Sequence, residues 1–426
     1  MGKIKPFRGI LYNRKKVNIA KVVTPPYDVI SATMQDSFYR RDQFNIIRLA
    51  LGKEDKKDTP KSNRYTRAGK TLDNWMRNNI FVKDENPSIY IYTQEYLHKG
   101  KKRTRIGFIA LMKIEGPKKS GVLPHEYTLA KPKEDRLNLI SKTEANLSPI
   151  FTLFKDRQNK VNKILKHFMK SRDPLFTLEA EGVIHKLWQM DEKNAIKKIQ
   201  SHMRDKKIFI ADGHHRYEVA VAYKKMMLNR KQFKKSYGDI MMYFSSLGES
   251  ENLTILSTHR AINNIEQFDE TKILNKLKKY FYITSVKSVE RCIEYLEKTP
   301  KNKHAFGMYA GKNKFRILTL KGMYSVRKLV DSPKTYSLKK LDVTILHDLI
   351  VDKVLGIKKY ENSVKYIMNE KDAVSIVEKG DYQVAFFLRP TRVADMRAIA
   401  EKGEMMPQKS TYFYPKLLTG LVINKF

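Results

Sequence analysis

The stretch IFIADGHHRYEVAVAYKK, residues 208–225, determines the predicted fold of this chain. Its first four residues, 208–211, form an apolar run with the length of a buried strand. Asp212 and Gly213 then form a turn signal. Apolar residues in the following EVAVAY segment recur at helical spacing, so we predict a helix over 216–235, directly after two histidines. The pattern predicts a strand, a polar turn and a helix in succession.

The predicted turn concentrates side chains that can carry out chemistry. His214, His215 and Arg216 directly follow Asp212 and Gly213. Imidazole, guanidinium and carboxylate groups can together move protons, bind phosphate or hold a metal ion. A helix N-terminus adds unpaired backbone N–H groups and the positive end of the helix dipole. We therefore predict that this turn receives an anion.

The composition indicates a folded protein. The chain has 426 residues, 41% of them hydrophobic and 11% aromatic, which is enough for two or three packed lobes. Cys292 is the single cysteine. This excludes an intramolecular disulfide and a cysteine-based zinc site, and it favours a reducing, cytoplasmic setting. We expect no membrane span and no signal peptide, since the sequence lacks the apolar runs that both require.

The net charge of +39 has two interpretations. A strongly basic protein can bind an anionic partner such as nucleic acid, a nucleotide or a phosphorylated metabolite. A general preference for lysine would give the same total, and here the lysines are scattered along the chain without a single basic stripe. Both interpretations remain open from the sequence.

A double proline at 25–26 fixes an extended or turned backbone, and Tyr27 and Asp28 follow it directly. Asp28 either caps the helix that follows Ser31 or is presented to a ligand by this rigid loop. Arg48, in the segment NIIRLAL, either pairs with Asp28 or binds an anion. We therefore count Tyr27, Asp28 and Arg48 as candidate substrate-binding residues.

The segment 121–157 holds a dense run of mixed charge that includes His125, Glu126, Thr128 and Arg136. Two prolines predict that no regular element forms in this run. A loop of this composition is either solvated surface or part of an active site.

Two familiar motifs are incomplete in this chain. HEYTL is not the zinc-binding HExxH motif, because Leu129 occupies the fifth position. The residues Gly69, Lys70 and Thr71 resemble the end of a phosphate-binding P-loop, but Arg64 stands where that motif requires its first glycine. Neither a zinc protease nor a P-loop enzyme is predicted.

The remaining patterns predict an α/β (α+β) protein. Alternation over 88–96 and an apolar run over 106–114 predict two antiparallel strands joined by a polar hairpin. We predict a catalytic region over 1–260, an α/β accessory lobe over 261–335 and a C-terminal α/β lobe over 336–426. The proline-broken segment 405–416 is expected to pack back on the body, where Lys409 and Ser410 could reach a phosphate.

The motif IADGHHRYEVA resembles the signature of a widespread bacterial and archaeal family long filed only as a domain of unknown function. Blocks of that family resemble further segments of this chain in the same order, so the resemblance covers nearly its whole length. These segments are PFRG, TPPYDVI, NIIRL, HEYTLAKPKEDRLNLI, ANLSPIF, LTILSTHRAI and MPQKSTYFYPKLLTGLV.

The ADGHHR turn is also similar, more distantly, to the signature of the ParB/sulfiredoxin superfamily. Members share a small α/β fold in which a strand–turn–helix binds nucleotide phosphates. They include the partition protein ParB, sulfiredoxin and free L-serine kinases, which carry a similar DGHHR turn and an upstream glutamate used as a base. The resemblance implies a ParB/sulfiredoxin-like core here and a phosphotransferase that uses ATP or ADP with Mg²⁺ and a small hydroxylated metabolite.

The turn and its companions offer the parts that a small-molecule kinase needs. We expect Glu126, with His125 beside it, to act as the base on the acceptor hydroxyl. His214 and His215 would donate to the transferring group, and Asp212 would bind Mg²⁺ or the acceptor. The expected phosphate-binding residues are Gly213, Arg216, Arg136, Lys409 and Ser410, and the expected substrate-binding residues are Asp28, Tyr27, Arg48 and Thr128.

Other functions remain open at this point. Asp212, His214 and His215 could ligate the metal of a phosphoesterase or nuclease, although adjacent histidines point in different directions on regular elements. A nucleic-acid-binding regulator in the manner of ParB would use the net charge, and a purely structural turn would do no chemistry. The sequence leaves a homodimer open and does not name the phosphoryl donor or acceptor.

Overall fold

The computed structural model describes residues 4–115, 121–247, 253–324, 326, 334–358, 360 and 362–426. The chain divides into two compact units. Unit 1 comprises Met1–Leu123, Thr128–Thr254 and Phe413–Phe426, and unit 2 comprises Pro124–Tyr127 and Ile255–Tyr412. Each unit has its own sheet and its own helices.

Strands occur throughout the described residues, and several of them follow one another without an intervening helix. They are β1 (Ile4–Lys5), β2 (Ile10–Tyr12), β3 (Phe81–Lys83), β4 (Ile89–His98), β5 (Lys101–Lys113), β6 (Val122–Leu123), β7 (Ala145–Asn146), β8 (Ile150–Phe154), β9 (Phe176–Ala180), β10 (Val183–Met190), β11 (Ile208–Asp212), β12 (Asp239–Ser246), β13 (Thr254–Leu256), β14 (His259–Ile262), β15 (Phe281–Val286), β16 (Ala305–Tyr309), β17 (Phe315–Leu320), β18 (Val364–Ile367), β19 (Val384–Phe387), β20 (Tyr412–Tyr414) and β21 (Asn424–Lys425).

The α-helices range from single turns to the 16-residue α8. They are α1 (Ile19–Val22), α2 (Ala32–Arg41), α3 (Ile47–Ala50), α4 (Arg64–Arg77), α5 (Ala130–Thr143), α6 (Lys160–Lys170), α7 (Lys193–Met203), α8 (His214–Asn229), α9 (Glu270–Leu277), α10 (Val289–Lys298), α11 (Tyr336–Lys339), α12 (Asp342–Thr344), α13 (Glu370–Glu378) and α14 (Val393–Glu401). Short 3₁₀ turns lie at Tyr27–Val29 and Lys235–Gly238, and Ile345–Val354 is a π-helix.

Unit 1 is built around a mixed sheet in the order β6-β11-β8-β12-β5-β4-β10-β9, with β1 added alongside β5. The β11/β6 and β12/β8 pairs are parallel, and the other pairs are antiparallel. The strand of the ADGHHR motif, β11, therefore lies inside the sheet between β6 and β8. A mixed α/β architecture is confirmed, and the more specific ParB/sulfiredoxin-like core stays a proposal.

The hairpin predicted between 88 and 114 is confirmed, but its turn is shorter than the polar composition suggested. Strand β4 continues to His98 and β5 begins at Lys101, so Lys99 and Gly100 alone form the turn. Both have positive φ, at 49° and 73°, as a two-residue hairpin whose twist matches its strands requires. Polar residues extend the ladder here because the end of the hairpin is exposed to water.

The mixed-charge segment after Pro124 was predicted to lack regular structure, and this prediction is wrong. Helix α5 covers Ala130–Thr143 and contains Pro132. The proline lies in the first turn, where the backbone N–H has no intrahelical acceptor, so its missing donor costs nothing there. Arg136 is therefore a helical residue.

The predicted helix of the central motif exists with shifted ends. Helix α8 begins at His214 and ends at Asn229, instead of covering 216–235. His214 and His215 therefore occupy its first turn instead of the preceding loop. The shift follows from Gly213, whose φ of 96° reverses the chain within a single residue.

Unit 2 is built around an antiparallel sheet in the order β15-β17-β16-β19-β14-β18. Its strands come from both sides of the predicted boundary between 261–335 and 336–426, so that boundary runs through one sheet. The segment after Phe413 belongs to unit 1. In the part of the chain that the structure describes, no helix is long and apolar enough to cross a membrane.

Gly69, in the sequence that resembles a P-loop ending, has a packing role. It lies buried in α4, and a Cβ atom there would come within 2.4 Å of the backbone carbonyl oxygen of Lys142 in α5. The missing side chain lets the two helices approach closely. Because that oxygen belongs to the backbone, it cannot move aside as a flexible side chain would.

Replacing Gly69 with alanine is expected to destabilise the protein by about 1–3 kcal/mol, because overpacking outweighs alanine's better helix propensity. The midpoint of urea unfolding measures this. Gly322→Ala is the matched control, since a Cβ there meets nothing within 4 Å. An equal midpoint for the two variants would contradict the close-packing role of Gly69.

Candidate functional site

The motif turn is held in a conformation that only glycine adopts without strain. Strand β11 ends at Asp212, Gly213 is the N-cap of α8, and its φ of 96° lies in the left-handed region. A Cβ at Gly213 would also meet the guanidinium of Arg216 at 2.9–3.0 Å. The turn thereby brings the side chains of Asp212 and Arg216 together across one helical turn.

Asp212 lies between two cations. Arg216 Nη2 donates to Asp212 Oδ2 at 2.8 Å, and Lys416 Nζ donates to Asp212 Oδ1. The three side chains are only 13%, 15% and 11% exposed for Asp212, Arg216 and Lys416. One strand end, one helix start and the C-terminal segment of unit 1 are joined by this one carboxylate.

Arg216 also anchors the loop before β8. Its Nη1 donates to Ser148 Oγ at 2.8 Å and to the carbonyl oxygen of Pro149 at 2.6 Å. Its Nε is buried and has no hydrogen-bond partner among the described residues. A buried donor of this kind is costly unless water or a ligand satisfies it.

His215 connects the motif helix to the helix of the mixed-charge segment. The backbone N–H of Leu129, the N-cap of α5, donates to His215 Nε2 at 3.0 Å. Since Nε2 is the acceptor, the neutral ring carries its proton on Nδ1. His214, one residue earlier, is 7% exposed. The start of α5 and the start of α8 therefore lie side by side.

Neither of these two helix N-termini has a side-chain cap. Their N-cap residues are Leu129 and Gly213, which offer no side-chain oxygen, and neither first turn contains an acidic residue. The first amides of a helix and its dipole both favour a negative group. Two adjacent N-termini of this kind form a surface suited to an anion.

Thr128 is oriented by a residue that the sequence analysis did not single out. Its Oγ1 donates to Glu218 Oε2 at 2.7 Å, and Lys133 Nζ donates to the same oxygen at 3.1 Å. Glu218 lies in α8, one turn after His215. This contact fixes the chain just before α5 against the motif helix.

A small cavity of about 60 Å³ adjoins Arg216. Tyr27 and Arg136 also line it, together with Ala50, Leu139, Ile140, Ala145, Asn146, Leu147, Ser148, Ile150, Val219, Ile240 and Thr419. Burial, and next the charge of Asp28, raise the pKa of Tyr27 to about 12. Its hydroxyl therefore stays protonated at neutral pH and can donate a hydrogen bond.

Arg136 is buried and already engaged. Its Nε donates to Asp135 Oδ2 at 2.7 Å, its Nη1 donates to the carbonyl oxygen of Ala50 at 2.8 Å, and its guanidinium lies 3.9 Å from the ring centroid of Tyr27. Asp135 also accepts hydrogen bonds from Arg64 and Tyr65. These contacts make Arg136 a wall of the cavity, and its role in phosphate binding stays a prediction.

Asp28 is exposed and lies in the same 3₁₀ turn as Tyr27. The alternative that Asp28 caps the following helix is wrong, because Ser31 is the N-cap of α2 and its Oγ accepts the N–H of Met34 at 3.2 Å. Serine at this position has the geometry that an N-cap needs.

Arg48, in α3, binds the end of α2 and the short connection between the two helices. Its Nε donates to the carbonyl oxygen of Gln43 at 2.8 Å, and its Nη2 donates to that of Tyr39 at 2.9 Å. The guanidinium also lies 4.5 Å from the ring centroid of Tyr39. Substrate binding by Asp28 and Arg48 stays a prediction.

His125 and Glu126 belong to unit 2. The ring Nε2 of His125 lies 3.2 Å from Thr411 Oγ1, and the ring is fully buried. Glu126 forms a parallel bridge with Met406, whose N–H donates to the carbonyl oxygen of His125 at 2.7 Å. The backbone around the predicted base is thus held by the segment 405–411.

Lys409 and Ser410 also lie in unit 2. The buried Arg260 donates through Nη2 to the carbonyl oxygen of Lys409 at 3.0 Å, and Ser410 Oγ donates to that of Pro407 at 2.5 Å. The structure thus places His125, Glu126, Lys409 and Ser410 in unit 2 and the other predicted site residues in unit 1. The predicted roles of the four residues in unit 2 stay predictions.

Both oxygens of Asp212 are engaged, and Mg²⁺ binding by Asp212 stays a prediction. Both carboxylate oxygens already accept from cations, and a metal ion there would have to displace Arg216 or Lys416. Nε2 of His215, the ring nitrogen that could bind a metal ion, already accepts a backbone N–H. Within the described ranges, no group of three or more His, Cys, Asp or Glu residues could hold a metal ion.

Lys416 belongs to a segment that is held by a buried arginine. Arg105, which is 0% exposed, donates to the carbonyl oxygens of Tyr414, at 3.3 Å, and Pro415. Gln94 Nε2 donates to the carbonyl oxygen of Lys416 at 2.8 Å. No local pattern identifies these residues in the sequence, because Asp212 and Lys416 lie 204 positions apart. Glu218 lies three residues after His215, and residues at this spacing are neighbours on one face of a helix. The sequence therefore contained a local signal for Glu218.

The chain belongs to the family described as "Protein of unknown function (DUF1015)", which matches residues 4–344. This confirms the first resemblance noted in the sequence. No curated protein matches the chain.

Several solved structures are similar over much of the chain. Free serine kinase in complex with AMP is 14% identical, with a TM-score of 0.34 over 69% of this chain and 83% of that chain. A conserved hypothetical protein from Pyrococcus furiosus is 15% identical, with a TM-score of 0.34 over 70% and 89%. SbnI from Staphylococcus aureus is 12% identical, with a TM-score of 0.34 over 73% and 85%. At these identities and TM-scores, the similarity assigns no function to this chain.

His185 is buried and lies near the charge of Arg105. It shares a hydrogen bond of 2.6 Å with the hydroxyl of Tyr92, and burial, assisted by the charge of Arg105, lowers the pKa of His185 to about 3. The folded protein therefore holds this ring neutral at pH values where the unfolded chain protonates it. Its contribution to stability is complete above pH 6.5 and is lost as the pH falls from 6.5 toward 3.

When the pH falls from 7 to 5, a His185→Gln variant is expected to lose about 2 kcal/mol less stability than the wild type. Urea unfolding at a series of pH values measures the difference. His167→Gln, at an exposed position of α6, is the control and should follow the wild type. Parallel pH profiles for the His185 variant and the wild type would contradict a buried, neutral ring.

Proposed function

We propose that this protein is a nucleotide-dependent small-molecule phosphotransferase that moves a phosphoryl group from ATP or ADP to a hydroxyl group, with free L-serine as the first acceptor to test. The observation that carries the proposal is the pairing of two uncapped helix N-termini, joined by the Leu129–His215 hydrogen bond. A phosphate chain is the metabolite group that best complements such a surface.

The charges around the turn support phosphate binding. Arg216 and Lys416 bring two cations to one carboxylate, and Arg216 Nε is a buried donor with no partner among the described residues. Phosphoryl transfer depends mainly on positioning and on stabilising charge on the phosphoryl oxygens. Arg216 and the first amides of α8 would hold these oxygens, and Nδ1 of His215 and the ring of His214 would donate to the group in transfer.

The resemblance to the ParB/sulfiredoxin superfamily supports the same assignment. Its members bind nucleotide phosphates on a strand–turn–helix, and its serine kinases combine a DGHHR turn with a glutamate base. Glu126, two residues before Thr128 in the chain, remains our candidate for the base on the acceptor hydroxyl. A ParB/sulfiredoxin-like core and a Mg²⁺ requirement are parts of the proposal that the resemblance alone supports.

A metal-dependent phosphoesterase or nuclease is less well supported. It would use Asp212, His214 and His215 as ligands, and the Asp212 oxygens already accept from two cations. Nucleic-acid binding rests on the net charge of +39 alone. It stays a prediction, as does a homodimer.

Incubating the protein with ATP or ADP, with and without Mg²⁺, and with a panel of hydroxylated metabolites that includes L-serine is expected to produce a phosphorylated acceptor. Phosphorus NMR identifies the product and the donor. If no phosphoryl group is transferred from either nucleotide and calorimetry shows no nucleotide binding, the proposal is wrong.

His215→Ala and Glu126→Ala are each expected to lower kcat by about 10²–10⁴-fold, because the proposal gives each side chain a role in the transfer step. His167→Ala, at an exposed position of α6, is the control and should retain wild-type kcat. Circular dichroism shows whether each variant is folded. A folded variant with unchanged kcat would show that its residue has no catalytic role.

A further inference from the structure

The cavity of about 60 Å³ beside Arg216 lies wholly within unit 1 and is lined from both helix α5 and the motif helix α8. Its volume corresponds to about four to six water molecules, at roughly 10–15 Å³ each. A nucleotide does not fit this space, whereas a metabolite with about that many non-hydrogen atoms does. Most of the lining residues are aliphatic, and among those that the structure describes none is acidic. A mostly apolar cavity with a few polar groups is typical of a small-molecule site.

The polar groups that remain open in this cavity are hydrogen-bond donors. The hydroxyl of Tyr27 and Nδ2 of Asn146 have no hydrogen-bond partner among the described residues. Asn146 is 9% exposed, and its Oδ1 accepts the backbone N–H of Met241 at 3.1 Å and Nδ2 of Asn424 at 3.2 Å. Because these two donors fix the orientation of the Asn146 amide, its Nδ2 offers two N–H groups to a ligand.

Ser148 adds a further donor to the same cavity. Its Oγ accepts from Arg216 Nη1 at 2.8 Å, which leaves the hydroxyl hydrogen of Ser148 to donate. These donors are distinct from Arg216 and from the first amides of α8, to which the proposed function assigns the phosphates. A ligand that complements the cavity must therefore supply acceptor oxygens.

Two guanidinium groups lie near Tyr27. That of Arg136 is 3.9 Å from the ring centroid. Burial and the charge of Asp28 raise the pKa of Tyr27, and the charges of Arg136 and Arg216 act in the opposite direction, so both guanidiniums are close to this side chain. Each guanidinium keeps a carboxylate partner. Recognition therefore depends on the open donors, and the neighbouring guanidiniums favour a ligand whose acceptor oxygens carry a negative charge.

We propose that this cavity is a binding site for a small aliphatic carboxylic acid, bound as its carboxylate. The carboxylate oxygens accept from Tyr27, Asn146 and Ser148, and the short aliphatic part packs against apolar lining residues such as Leu139 and Ile140. An ionised carboxylate only accepts hydrogen bonds, and its aliphatic part matches the apolar wall. Inorganic phosphate has no apolar part to place there. This site goes beyond the proposed function, and its occupation does not require a nucleotide.

Calorimetry of the full chain with propionate tests the assignment, with propionamide as a neutral ligand of the same size. The wild type is expected to bind propionate at millimolar concentrations and to bind propionamide at least about 10-fold more weakly. Tyr27→Phe removes one donor and keeps the ring that contacts Arg136, so it should weaken propionate binding by about 10–100-fold. Tyr282→Phe, at an exposed position of unit 2, is the matched control and should bind propionate as the wild type does.

A second variant tests the donors of Asn146. Asn146→Asp keeps the oxygen that accepts from Met241 and Asn424 and replaces the N–H groups with an oxygen that repels a carboxylate. It should abolish propionate binding. If this variant does not fold, Tyr27→Phe alone decides.

Four results would overturn the inference. The wild type could fail to bind propionate, or bind propionamide equally well. An unchanged propionate affinity in Tyr27→Phe would place the binding outside this cavity. Inorganic phosphate whose binding weakens in Tyr27→Phe as much as that of propionate would overturn the choice of a carboxylic acid. Because these measurements contain no nucleotide, their outcome is independent of the proposed function.

Discussion

The carboxylate of Asp212 is the interaction on which the site depends. Asp212 is the last residue of the motif strand β11. Its carboxylate accepts hydrogen bonds from Arg216, one helical turn later, and from Lys416 in the C-terminal segment. Because Gly213 adopts a left-handed conformation, the strand and the helix meet closely enough for the first of these bonds to form. Without this carboxylate, two cations would face each other at the start of α8.

The second organising contact is the bond from Leu129 to His215. It places the start of α5 beside the start of α8 and sets the proton of the histidine on Nδ1. Thr128 and Lys133 reinforce the same contact through Glu218. Together with the uncapped helix ends, these bonds turn an ordinary strand–turn–helix into a surface that favours an anion.

Local sequence patterns predicted the motif strand, the motif helix and the hairpin because each depends on interactions between residues close in sequence. Glycine after a buried strand, polar residues at a helix start and alternation in a hairpin each act within a few positions, and β11, α8 and the β4–β5 pair were all predicted. The errors also have local causes. Pro132 was taken to interrupt a helix, although a first-turn proline loses no hydrogen bond, and the histidines were placed before α8 instead of inside its first turn.

The sequence by itself determined the α/β character, the motif turn, the family resemblance and the chemistry available at residues 212–216. Only the tertiary structure decided which distant residues meet the turn: Lys416 and Leu129 are its neighbours, while His125, Glu126, Lys409 and Ser410 belong to unit 2. The physical reason is that contacts across tens or hundreds of positions depend on how strands order in the sheet and how segments pack. Neither is encoded in the spacing of the residues involved.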